Sequence, residues 1–168
     1  MDTQTLTLIL STFAVLLSML TFYLLYSKQD TKKNVDPAFT TRPLQLQAYE
    51  RLVILTERVA LPNIVSRANQ PGITAREMQL LMLESIKQEF EYNSSQQIYV
   101  SPLVWQAVNN LKEQNMLIIN QIAQTLPADA KGYDLGKRIM EVIIAQDKEA
   151  LHNIVLEALN FEARKLMK

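Results

Sequence analysis

The stretch Thr3 to Ser27 reads TQTLTLILSTFAVLLSMLTFYLLYS and holds no charged residue. Its reading decides how the rest of the chain is laid out. As a helix rising 1.5 Å per residue, Thr5 to Tyr26 would be about 33 Å long, enough to cross a hydrocarbon layer of about 30 Å. It holds eight Leu, one Ile, one Val and two Phe, which favour insertion by on the order of 5 kcal/mol before the Ser and Thr costs. Those costs are small, because a helix lets hydroxyls bond back to its own carbonyls. The pattern predicts a transmembrane helix.

The flanks extend that expectation. A cleavable signal peptide carries a basic start and a small-x-small cleavage site, whereas here the only early charge is Asp2 and the run ends in Tyr23-Leu24-Leu25-Tyr26. There is no Cys for a lipid anchor, and Asp2 stands where myristoylation requires Gly. Lys28, Lys32 and Lys33 follow the run and no Lys or Arg precedes it, so these lysines set the topology. The expected placement is a single-pass protein of the cell inner (cytoplasmic) membrane, N-terminus outside and C-terminal domain cytoplasmic. Tyr23 and Tyr26 would lie at the inner headgroup level. Thr7, Ser11, Ala14, Ser18 and Thr21, spaced 4, 3, 4 and 3, form a candidate packing face on the span, where small residues let a second helix come close.

The chain has 168 residues, with 17 basic and 17 acidic side chains, one His and no Cys. This balance does not advertise nucleic acid, and there is neither a disulfide framework nor thiol chemistry. Three Gly, at 72, 132 and 136, among long runs of Leu, Ile, Glu, Gln and Lys point to helices. The fold class expected is all-α: one N-terminal transmembrane helix plus a cytoplasmic antiparallel bundle of about four to five helices. Residues 1–27 form the anchor, 28–43 a juxtamembrane tether interrupted by Pro37 and Pro43, and 44–168 the helical domain.

Within the domain, Leu44, Ala48, Leu52, Leu55 and Val59 recur at helical spacing, with Glu50, Arg51, Glu57 and Arg58 on a solvated flank. Pro62 suits the first turn of a short helix that ends at Gln70-Pro71-Gly72. Thr74 and Glu77 fit a capping box before a helix from about Ala75 to Tyr92, with Met78, Leu81, Met82, Ser85 and Ile86 towards the core. This order invites a helix-turn-helix reading, which the excess of Glu over Arg and Lys in the second helix opposes. Asn93 to Ser101 is a connector, and its Asn93-Ser94-Ser95 carries no glycosylation role in a cytoplasmic domain.

Ser101-Pro102 starts a helix to about Leu126, in which Asn115 is read as a flank residue and Trp105 as part of a packing cluster with Tyr92 and Tyr99. Gly132 is available for a positive-φ turn, and Asp134 can cap the helix that comes next. Leu135, Ile139, Val142 and Ile143, then Leu151, Ile154, Val155, Ala158 and Leu159, describe one long helix or two joined near Gln146-Asp147.

No chemistry is signalled. Glu149-x-x-His152 copies half of a di-iron helix motif, but a single His cannot complete that site or a zinc site, so His152 is read as a surface residue. No phosphate-binding glycine loop and no nucleophile with a positioned base can be recognised. No catalytic, cofactor-binding or metal-binding residue is expected, and no cofactor.

Three stretches, Arg42-Pro43-Leu44-Gln45-Leu46-Gln47-Ala48-Tyr49-Glu50-Arg51, Glu89-Phe90-Glu91-Tyr92-Asn93-Ser94-Ser95-Gln96-Gln97-Ile98-Tyr99-Val100-Ser101 and Glu162-Ala163-Arg164-Lys165-Leu166, resemble an uncharacterised family of bacterial membrane proteins. Its members have one N-terminal span and a small helical domain. The resemblance implies the same layout and lends no activity and no catalytic residue. The expected role is therefore a non-catalytic one, a membrane-anchored scaffold or accessory subunit of an inner-membrane complex. Its partner is a protein or a second copy, with neither nucleic acid nor a small-molecule substrate. The alternative is a membrane-tethered regulator that binds a ligand or nucleic acid through its helical domain.

Overall fold

Two helix starts that the sequence marks with acidic side chains turn out to be paired in space. The computed structural model describes residues 3–32, 37–145 and 151–167, with side chains over 12–26 and, from residue 41 onward, throughout those ranges. Its helices are α1 (Thr3–Lys32), α2 (Pro37–Val59), α3 (Leu61–Ala68), α4 (Ala75–Asn93), α5 (Pro102–Gln124), α6 (Gly132–Ala145) and α7 (Leu151–Leu166), with a 3₁₀ turn over Ser94–Ile98. Among the described residues the chain is all-helical, apart from one isolated antiparallel bridge between Thr74 and Lys131. It divides into two units, Met1–Thr41 and Arg42–Lys168.

At the bridge, the Ala75 N–H donates to the Ala130 carbonyl at 2.8 Å and the Gly132 N–H to the Ile73 carbonyl at 2.9 Å. The first residues of α4 and α6 are thereby fixed side by side. Each start is closed by a carboxylate. Glu77 accepts from the Thr74 N–H at 2.8 Å while the Thr74 hydroxyl accepts from the Glu77 N–H, the full capping box. Asp134 accepts from the Lys131 N–H at 3.0 Å. Asp134 thus caps from inside the first turn, through the third helical position.

Gly132 is not a positive-φ turn, for among the described residues only Gly72 has that geometry, with φ 83°. What Gly132 supplies is closeness: a Cβ there would lie 2.8 Å from Cγ1 of Ile73. Gly72 provides the turn that ends α3 and leads into the bridge.

The core of the second unit is built from α2 to α7. Leu52 and Leu55 of α2, Ile64 of α3, Met78, Met82 and Ile86 of α4, Leu111 and Ile119 of α5, Leu135 and Ile139 of α6 and Leu159 of α7 are all fully buried. At roughly 1.5–3 kcal/mol each, these side chains are the main force holding the helices together. α4 packs against α5, α6 and α3, and α5 against α6 and α7.

Several expectations are corrected. Among the described residues no helix is long and apolar enough to cross a membrane. The transmembrane helix, the single-pass inner-membrane placement and the inside-outside assignment are therefore overturned. Pro43 does not break a helix but lies inside α2, which begins at Pro37. Pro37 falls in the first turn, where its missing N–H has no partner to lose, and the buried turns from Ala48 to Val59 outweigh the one bond that Pro43 removes.

In α4, Leu81 is exposed and Gln79 takes a buried place beside Met78, because its amide donates to Asn120 Oδ1 at 2.7 Å and accepts from Arg76. Leu44 and Ile154 are likewise exposed. The connector after α4 contains a 3₁₀ turn, and Trp105 packs on Phe90, ring centroids 5.1 Å apart. The joint expected near Gln146-Asp147 lies outside the described residues.

Candidate functional site

Three members of the candidate packing face, Ala14, Ser18 and Thr21, are exposed on α1, and the Thr21 hydroxyl donates to the Ser18 carbonyl at 2.9 Å. The hydroxyl is thus satisfied by its own helix and demands no outside partner. The side chains of Thr7, Ser11, Lys28 and Lys32, and the whole of Lys33, lie outside the described residues. Around the small residues the surface is apolar: Phe13, Val15, Leu16, Leu17, Met19, Leu20 and every residue from Phe22 to Tyr26 are exposed. Consecutive positions at 100° per residue fall on all sides of the helix, so the exposed apolar surface runs right round it.

The second unit offers a different feature, a cavity of about 320 Å³ where five helices meet. α2 brings Glu57, the α2–α3 junction Ala60, α3 Leu61, Pro62 and Asn63, α5 Leu111, Gln114, Asn115 and Ile118, α6 Val142 and Ile143, and α7 Leu151 and His152. Aliphatic side chains share the walls with five polar ones, Glu57, Asn63, Gln114, Asn115 and His152.

There Asn115, read from sequence as a flank residue, is buried and donates from Nδ2 to the Val59 carbonyl at 2.8 Å. It closes a carbonyl at the end of α2 that the helix itself cannot satisfy. Asn63 donates to the Glu57 carbonyl at 2.7 Å, beside the Ala60 N–H at 3.3 Å.

His152 is not a surface residue either. Its side chain is 20 % exposed, Nε2 lies 3.7 Å from Oε2 of Glu57, and Nδ1 is buried with no partner among the described residues. At 3.7 Å the two are too far apart for a hydrogen bond, which leaves the carboxylate, 52 % exposed, with acceptor capacity to spare.

A second cleft of about 330 Å³, between α3 and α6, is lined by Val65, Asn69, Met78, Tyr133, Gly136, Lys137, Met140, Glu141 and Ile144. Its polar lining residues are Asn69, Tyr133, Lys137 and Glu141. Among the described residues no group of three or more His, Cys, Asp and Glu is placed to hold a metal ion.

Away from the cavity, the Tyr49 hydroxyl donates to Glu162 Oε2 at 2.7 Å and accepts from the Ser101 N–H at 3.3 Å, tying α2 to α7 and to the start of α5. Burial pushes its pKa up, and the bond to Glu162 adds to that, against the Ser101 N–H, which lowers it. Sequence reasoning missed this clasp and the Glu57–His152 pair. No local spacing could have found them, because each joins helices from opposite ends of the unit.

A family model matches residues 3–166 of the chain. The chain belongs to DUF7935, a family of unknown function. Membership in DUF7935 carries no residue role, so the site stands on its own geometry. No curated protein gives a significant match to this DUF7935 chain, and no solved structure does.

Proposed function

We propose that this protein is a non-catalytic accessory subunit that docks through α1 to a protein partner and presents the helical unit 42–168 beside it. The observation that supports this reading is the apolar surface exposed around α1 from Phe13 to Tyr26. Contiguous apolar surface of this kind marks an interaction site. Ala14 and Ser18 give the closest approach for an incoming helix, since small side chains let two backbones come together.

The test is purification of the full-length protein from its native cell under gentle extraction, followed by mass spectrometry, in parallel with Ser18→Ile and with a chain lacking residues 3–27. A specific partner, present at fixed stoichiometry with the native chain, weakened by Ser18→Ile and absent from the deletion, is the expected result. Association only with further copies of the same chain, or a partner retained by the deletion, overturns the proposal.

A further inference from the structure

The cavity between α2, α3, α5, α6 and α7 has a chemistry of its own that docking through α1 does not use. We infer that it is a binding site for a small amphiphilic cation, a compact apolar body bearing one ammonium head. Its volume of about 320 Å³ falls at the lower end of the range typical for small-molecule sites. The body of such a ligand would rest against Leu111, Ile118, Val142 and Ile143. The head would face Glu57, the one carboxylate among the lining residues, which the structure leaves without a hydrogen bond from His152 at 3.7 Å.

Charge selects among ligand classes. Among the described lining residues there is no Lys and no Arg, so a carboxylate or phosphate entering the cavity would meet the Glu57 carboxylate without a permanently charged cation beside it. A neutral alcohol would gain only the ordinary hydrogen bond, whereas an ammonium gains a charge-assisted one in a partly desolvated setting. His152 stands beside Glu57, its Nε2 3.7 Å from Oε2 and beyond hydrogen-bond distance, so the carboxylate is not tied up by the ring. Asn115 and Asn63 each direct one amide N–H to a backbone carbonyl rather than to the carboxylate.

The experiment is isothermal titration calorimetry of the full-length chain with three probes of matched size: 4-phenylbutylamine, 4-phenylbutan-1-ol and 4-phenylbutanoate. Each is repeated on Glu57→Gln, which removes the charge at a half-exposed position, and on Ile118→Phe, which fills the cavity. Melting curves confirm that both variants fold. The amine is expected to bind at least tenfold more tightly than the alcohol and the carboxylate. Glu57→Gln should bring it down to the alcohol, and Ile118→Phe should abolish all binding.

Equal affinity for the three probes, all lost in Ile118→Phe, would show a cavity that accepts ligands without reading their charge, and the cation assignment fails. Binding that survives Ile118→Phe, or no binding by any probe at millimolar concentration, overturns the cavity as a site. None of these outcomes bears on α1, so the docking proposal stands or falls separately.

Discussion

Thr56 is fully buried in α2, and its hydroxyl has no hydrogen-bond partner among the described residues. An unpaired buried hydroxyl costs about 1–3 kcal/mol, and removing it without changing the shape of the side chain recovers much of that. Thr56→Val is therefore expected to stabilise the protein by about 1 kcal/mol, read as a higher urea midpoint at unchanged slope. A lower midpoint would mean that the hydroxyl has a partner after all. Tyr49 gives a prediction of the opposite kind. Its pKa is raised above the ordinary value of 10.0, chiefly by burial and then by the bond to Glu162, so the folded state holds a proton that the unfolded state releases first. The sign comes from that difference: the contribution is whole below about pH 10 and falls as pH rises through the folded-state value. Tyr49→Phe should flatten the loss of stability above about pH 10, seen by comparing melting temperatures of the two proteins between pH 8 and pH 11. Asn115 shows why single residues mislead when read from sequence. An Asn on an apolar stripe looks like a flank residue until a carbonyl from another helix, here that of Val59, is found in front of it.

At the scale of elements, local signals were legible and distant ones were not. The capping box at Thr74 and Glu77, Ser101 as the cap of α5, Pro62 in the first turn of α3 and Gly72 after it all act within a few residues, and each is in place. The rule that proline interrupts a helix failed at Pro43, because packing further along α2 decides where that helix extends. The face of α4 was also misjudged, since periodicity ranks Leu81 above Gln79 and cannot see Asn120 on another helix waiting to receive the amide. The pairing of the α4 and α6 starts was invisible for the same reason, and it makes Gly132 sensitive. Gly132→Ala gains at most about 1 kcal/mol of helix propensity, yet its Cβ would sit 2.8 Å from Ile73 Cγ1 and 3.3 Å from Met78 Cβ. Overpacking of this sort costs about 1–3 kcal/mol, so the net effect is expected to be destabilising. Urea unfolding should show a lower midpoint, whereas a midpoint equal to or above that of the parent protein would mean that the bridge yields without cost.

For the whole molecule, every buried hydrophobic residue described lies between Ala48 and Leu159, within the second unit. A chain comprising residues 42–168 should then melt cooperatively within about 3 °C of the second-unit transition in the full chain, measured by circular dichroism. A drop of more than about 10 °C would place part of its support in residues 1–41. The general layout, an apolar N-terminal helix followed by a helical unit, could be read from composition and period. What the apolar helix is covered by could not, because Leu, Ile and Phe record only that water is avoided. Trp105 adds a practical consequence. It is the only tryptophan in the chain, and its ring lies on Phe90, so a single indole sits where α5 touches α4. Its fluorescence is an intrinsic gauge of that contact: a red shift as Phe90 withdraws would time the parting of the two helices, with no label to attach and no second emitter of its kind to subtract.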